Sequence, residues 1–174
     1  MFAEEEIKKM IEACQNLKHR SMLCLAYAAG LRVSEIVNMK LKDIDSKRMV
    51  IMIRQSKGRK DRQVMLSPKL LELLREYFKQ YRPKQWLFEG QGVEQYSIRS
   101  IQKVINTAKT KAGINRKGSI HALRHSFATH LLESGTDILS IKELLVHNSL
   151  ITTMTYTHVS KKHISIIQSP LDKL

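Results

Sequence analysis

A chain of 174 residues with 43% hydrophobic and 26% charged residues is long enough to bury a core and too apolar to be disordered. No run of about 18 apolar residues is present, which excludes a spanning helix, and the acidic opening MFAEEEIKKM lacks the apolar region of a secretory leader. Thirty Lys and Arg against 16 Asp and Glu leave +14, which calls for a polyanionic partner: nucleic acid or, less well, an acidic membrane surface.

In chain order, residues 4–15 and 20–29 read as helices, because Ile7, Met10, Ile11 and Cys14 recur at helical spacing and Met22 to Ala29 is nearly all apolar. Gly30 stops the second helix, leaving Arg32 at an element boundary, and Ser34 with Glu35 starts a short helix to Met39. Met49–Arg54 and Gln63–Leu66 read as paired strands around the charged tip 56–61. Ser67-Pro68 opens a helix to Tyr81, which Arg82-Pro83 ends. Trp86-Leu87-Phe88 is a short apolar piece, and Ser97–Ala112 a basic amphipathic helix stopped by Gly113. A helix beginning near Ser119 carries HALRH and stops at Gly135; Asp137 caps another through Leu145, and a last helix spans 161–168. The fold class is therefore mainly α with a small antiparallel β-sheet, in one domain.

The positive charge is concentrated. Lys40–Arg62 holds nine basic and three acidic residues, and Arg99–Arg124 holds seven basic and none acidic. Either run alone reads equally well as a solvated basic face, but two runs that each carry a candidate catalytic residue point to a phosphate-backbone surface. Cys14 and Cys24 both sit on apolar helical stripes and read as buried, reduced thiols of a cytosolic protein.

The segment His121–Tyr156 carries the chemistry. On one helix, His121 and Arg124 share a face, because residues three apart lie one above the other. His147 and Tyr156 flank a turn at Asn148-Ser149, so a further helix brings a phenol back toward the first pair. A single tyrosine or histidine is most often an ordinary packed side chain; this joint placement suits phosphoryl chemistry with a tyrosine nucleophile. His121 and His125 have the i, i+4 spacing of a metal site, but no HExxH glutamate, cysteine or nearby carboxylate completes one, so no metal is expected. His125, His130 and His158 read as structural, and His19 and His163 carry no signal.

AAGLRVSE, SKGRKDR, HALRHSFATHLLESG and LLVHNSLITTMTYTHVS, in that order, resemble the successive boxes of the tyrosine recombinases, or phage integrases. The resemblance covers essentially the whole chain, 1–174, as that family's catalytic domain. It implies a catalytic set of Arg32, Lys57, His121, Arg124, His147 and the nucleophile Tyr156, with Glu35 in a supporting acidic position and a 3′-phosphotyrosyl bond to DNA as intermediate. It implies no cofactor, since arginines supply the charge a metal would bring.

The chemistry of each group agrees with that assignment. A phenol with a pKa of about 10 is ionised to roughly one part in a thousand at neutral pH, so Tyr156 needs cations beside the phosphate. Arg32 and Arg124 donate forked hydrogen bonds to non-bridging oxygens, where Lys would be only a point charge. Lys57, on a flexible tip, suits the general acid for the departing 5′ hydroxyl; His121 suits the proton acceptor and His147 a second donor to the phosphate. Glu35 orients the Arg32 region. Arg54, Arg59, Lys60, Arg62, Lys103, Lys109 and Lys111 are expected to contact double-stranded DNA, the last three at phosphates rather than bases.

Two departures from the family pattern bear on function. Val146 stands where glycine is usual and excludes left-handed backbone angles, so the loop carrying His147 is expected to sit differently. Ala29 replaces a frequent threonine. The resemblance starts at the family's catalytic domain, so these residues are expected to act without the N-terminal helical domain that closes a clamp on DNA, and binding is expected to be weak and salt-sensitive. The tail HISIIQSPLDKL, with Ile164, Ile166, Ile167, Leu171 and Leu174, is expected to dock into a neighbouring protomer on DNA, giving a tetrameric synapse of a protein monomeric in solution. The leading function is thus a site-specific DNA recombinase, cytoplasmic and nucleoid-associated. A type IB topoisomerase-like activity and a DNA-binding module without catalysis are the alternatives.

Overall fold

The computed structural model describes residues 1–54, 61–92 and 94–145. Lys57, Arg59, Lys60, Val146, His147, Tyr156, the helix expected at 161–168 and the C-terminal tail lie outside the described residues. Two compact units divide the chain, Met1–Phe127 and Ala128–Leu174.

In the first unit, α1 (Glu4–Glu12) has three glutamates in its first turn, which suits the positive end of a helix, and buries Ile7 and Met10. Its N-terminus is closed by the Ala3 amide donating to Glu6 Oε2 at 2.8 Å. The second helix, α2 (Leu17–Ala28), starts three residues before the position expected from the apolar run. Asn16 is the reason: its side-chain oxygen accepts from the His19 amide at 3.0 Å and caps a turn too polar for periodicity to reveal. Gly30 ends this helix at φ 58°, in the left-handed region. The short α3 (Val33–Val37) follows with Arg32 as its N-cap, and Glu35 Oε2 accepts from the Arg32 amide at 2.8 Å.

A single turn of 3-10 helix at Leu41–Asp43 leads into the sheet. Among the described residues the sheet has three antiparallel strands in the order β1 (Ile44–Asp45), β2 (Val50–Ile53), β3 (Arg62–Met65), where two were expected. A two-residue strand is too short to show alternation, which is why β1 escapes a pattern-based reading. The turn between β1 and β2 is built by Asp45, whose Oδ1 accepts from the Lys47 and Arg48 amides at 3.0 and 2.9 Å, and by Met49 in the left-handed region at φ 55°. Ile51 pairs with Val64 and Ile53 with Arg62, so these four share the inward face.

Ser67 caps α4 (Pro68–Tyr81) by accepting from the Leu70 amide at 3.2 Å, with Pro68 in the first turn. This helix packs on α2, and Tyr77 meets the buried Phe88 at 5.3 Å between ring centroids. Helix α5 (Ile98–Lys111), capped by Ser97, turns Ile101, Val104, Ile105 and Ala108 into the core and packs on the first three helices. Its opposite face carries Arg99, Lys103 and Asn106, all exposed. The HALRH segment opens α6 (Ile120–Glu133) as expected from Ser119 onward. The start of the chain is tied to this helix: Phe2 is fully buried and its amide donates to Ser126 Oγ at 2.7 Å. Gly118 makes room for that ring, since a Cβ there would lie 2.3 Å from Phe2 Cζ.

In the second unit, the end of α6 turns at Gly135, φ 93°, into α7 (Ile138–Leu145). Asp137 caps it as expected, accepting from the Ser140 amide at 2.9 Å and from the Ser140 hydroxyl at 2.6 Å. Among the described residues, no helix is long and apolar enough to cross a membrane.

Candidate active site

Three elements meet at one carboxylate within the first unit. Arg32 stands at the N-cap of α3, Glu35 in its first turn, Arg62 at the start of β3 and Arg124 on α6. Arg32 Nη1 lies 3.1 Å from Glu35 Oε1, Arg62 Nη1 2.8 Å from the same oxygen, and Arg62 Nη2 2.9 Å from Oε2. Arg124 Nη1 is 3.9 Å from Oε2 and donates to the Gly30 carbonyl at 2.5 Å. The helix stop at Gly30 is therefore also a hydrogen-bond acceptor for a site residue.

Among the described residues, three guanidinium groups surround one carboxylate and leave the cluster net positive. Burial works against the charge on Glu35, but the Arg62 hydrogen bonds and charge, the Arg32 amide and Arg124 outweigh it and hold the carboxyl below its usual range. Such a cluster is a stable home for an anion. Arg32 offers the open side, with its side chain 29% exposed, while Glu35, Arg62 and Arg124 are at 8%, 6% and 6%. His121 is exposed one turn before Arg124 on α6, its amide donating to Ser119 Oγ at 3.3 Å. Arg32, Glu35 and Arg124 are thus brought together, and His121 stands on the same helix as Arg124.

The residues expected to meet DNA separate into two groups. Lys103 and Lys111 are exposed and line a cleft of about 280 Å³ with His19 and Tyr96, whose side chains are 3.1 Å apart. Arg54 keeps 55% of its side chain exposed while its Nε donates to Asp43 Oδ1 at 2.7 Å. Lys109 is instead half-buried, with Nζ donating to the Gly118 carbonyl at 3.4 Å. Arg62 departs furthest from expectation: its buried fork grips Glu35, a geometry at odds with a surface phosphate contact. A signal for this was present in the alternation of Arg62, Val64 and Leu66, which puts the arginine in register with two apolar inward positions. The cysteines are free, Cys14 buried and Cys24 half-buried, and burial pushes the Cys24 thiol up to about 11.

Known proteins are similar to this chain in sequence and fold. An integrase/recombinase of Sinorhizobium fredii, y4qK, is 42% identical over 175 residues, covering 100% of this chain and 57% of the relative. The crystal structure of XerA recombinase superposes with a TM-score of 0.86 at 31% identity, covering 94% of this chain and 62% of that one. The XerH site-specific recombinase bound to palindromic difH substrate, in a post-cleavage complex, gives 0.81 at 29% identity, covering 94% of this chain and 51% of that one. The chain thus spans between half and two thirds of the length of each of these. The model of the phage integrase family matches residues 1–163, nearly the whole sequence, and the chain belongs to that family.

Proposed function

We propose that the chain is the catalytic domain of a site-specific DNA recombinase that breaks and rejoins a phosphodiester through Tyr156. The observation that carries this reading is the meeting of Arg32 and Arg124, far apart in sequence, at the single carboxylate of Glu35. Two arginines oriented by one acid form a cradle for a phosphodiester, and the XerH relative, which shares this fold, was solved bound to its substrate after cleavage.

In the proposed reaction, the Tyr156 phenol oxygen attacks phosphorus while His121 takes its proton. Arg32 and Arg124 counter the charge that builds on the non-bridging oxygens, with His147 as a further donor. The bond to the 5′ oxygen breaks, Lys57 protonates that oxygen, and a 3′-phosphotyrosyl link remains. Religation runs the same steps backward with a 5′ hydroxyl as nucleophile, so no outside energy source is required. The exposed Arg99, Lys103 and Lys111 serve the DNA backbone outside the cleavage point. The tail beyond residue 161 is assigned to docking on a second copy in a tetrameric synapse, and the site of action to DNA in the cytoplasm.

The test is covalent capture. Duplexes selected by binding from a random library, nicked so that the cleaved end diffuses away, should give an SDS-resistant adduct with wild-type protein and none with Tyr156→Phe. An adduct that survives in the Phe variant refutes the nucleophile. Binding without an adduct in either protein leaves a DNA-binding module.

A further inference from the structure

Arg62 takes no part in the proposed chemistry, yet among the described residues it is the most tightly held cation around Glu35. Its two nitrogens sit on the two carboxylate oxygens at 2.8 and 2.9 Å, against 3.1 Å for Arg32 and 3.9 Å for Arg124. At 6% exposure its side chain is buried. A carboxylate has one unit of charge to share among these three partners. With the Arg62 fork in place, that charge is already countered when Arg32 and Arg124 meet it. With the fork removed, a buried carboxylate would draw on the other two guanidinium groups, the ones needed by a phosphate.

We infer that Arg62 is a positioning residue that neutralises Glu35, so that Glu35 orients Arg32 and Arg124 without competing with the phosphate for them. This rests on the reading of Arg32 and Arg124 as a phosphate cradle. It differs from simple packing in one consequence: removing the charge of Glu35 as well should undo the harm of losing Arg62. A packing role gives the opposite expectation, because the second substitution removes still more of the local structure.

The probe is inorganic sulfate, titrated calorimetrically into the full chain at low ionic strength, with the component lost in Arg32→Met taken as binding at the cradle. Arg62→Met should weaken that component about tenfold, the usual scale of a charge-assisted hydrogen bond. The double variant Arg62→Met with Glu35→Gln should return to within about threefold of wild type. Unchanged affinity in Arg62→Met, or no recovery in the double variant, overturns the inference while leaving the cradle intact. Sulfate binding indifferent to Arg32→Met overturns the cradle itself, and the inference with it. Should Arg62→Met not fold, Arg62→Lys carries the same test, since an ammonium cannot cover both oxygens. It should weaken binding about threefold and recover with Glu35→Gln, and failure to recover again sinks the idea.

Discussion

Arg124 reaches from α6 to the carbonyl of Gly30, where α2 has just ended, and donates Nη1 to it at 2.5 Å. One residue thereby joins helix termination to the orientation of a proposed catalytic arginine. Because Gly30 holds φ 58°, an L side chain there meets its own backbone at a cost of about 1 to 2 kcal/mol. Gly30→Ala should lower unfolding free energy by about that amount in urea titrations. It should also slow adduct formation beyond what the lost stability explains, because any relaxation of the turn moves the acceptor that Arg124 uses. A variant equal to wild type in both measurements would remove the Gly30 carbonyl from the site.

Glu35 should contribute to stability as well as to orientation. Glu35→Ala leaves buried guanidinium groups without their anion, for which about 3 to 5 kcal/mol is the expected loss. Glu35→Gln should cost less, since the amide oxygen can still accept from Arg62 or from the Arg32 amide. Chemical denaturation at pH 7 checks both, and an Ala variant within about 1 kcal/mol of wild type would contradict the cluster's energetic role.

The same carboxylate sets a pH window. Its folded pKa is depressed, so its stabilisation is fully present above the ordinary glutamate value of about 4.3 and is lost as pH falls through the depressed folded value. The stability gap between wild type and Glu35→Gln, open at pH 7, should therefore narrow only below about pH 4. A gap that narrowed between pH 7 and 5 would assign the titration to another group.

Salt dependence separates surface cations from structural ones. Lys103→Ala should reduce the slope of log affinity for duplex DNA against log salt by about one. Lys109→Ala, whose ammonium group is tied to the Gly118 carbonyl, should leave that slope nearly unchanged and lower the melting temperature. Fluorescence anisotropy across a salt series reads the first effect, and equal slopes for all three proteins would argue against a phosphate track on α5.

Deleting residues 162–174 tests the assignment of the tail. Cleavage at a single site should persist, while complexes containing more than one protomer on DNA should diminish in gel mobility or light-scattering measurements. Equal loss of both would place the tail in the folding of the catalytic domain instead.

Much of the architecture is legible in the order of the residues. Ser67-Pro68, Ser97 and Asp137 announce helix starts, Gly135 a stop, and the apolar stripe of α5 its buried face, because each of these signals is local and acts within a turn or two. Family membership is legible for the same reason: the boxes are contiguous runs whose order survives in one dimension. What escapes is short or non-local. The two-residue β1 has no period, the first turn of α2 depends on one Asn16 cap, and the buried fork of Arg62 depends on β3 meeting α3.

Residue order alone thus establishes the helical class, the charge that demands a polyanion, and the candidacy of Arg32, Glu35 and Arg124 as site residues. It takes the folded chain to turn Arg62 inward to Glu35 rather than outward to DNA, and to make Gly30 an acceptor as well as a helix stop. The reason is physical. Residue type and spacing report local periodicity, whereas the partner of a buried charge is chosen by which distant elements close around it.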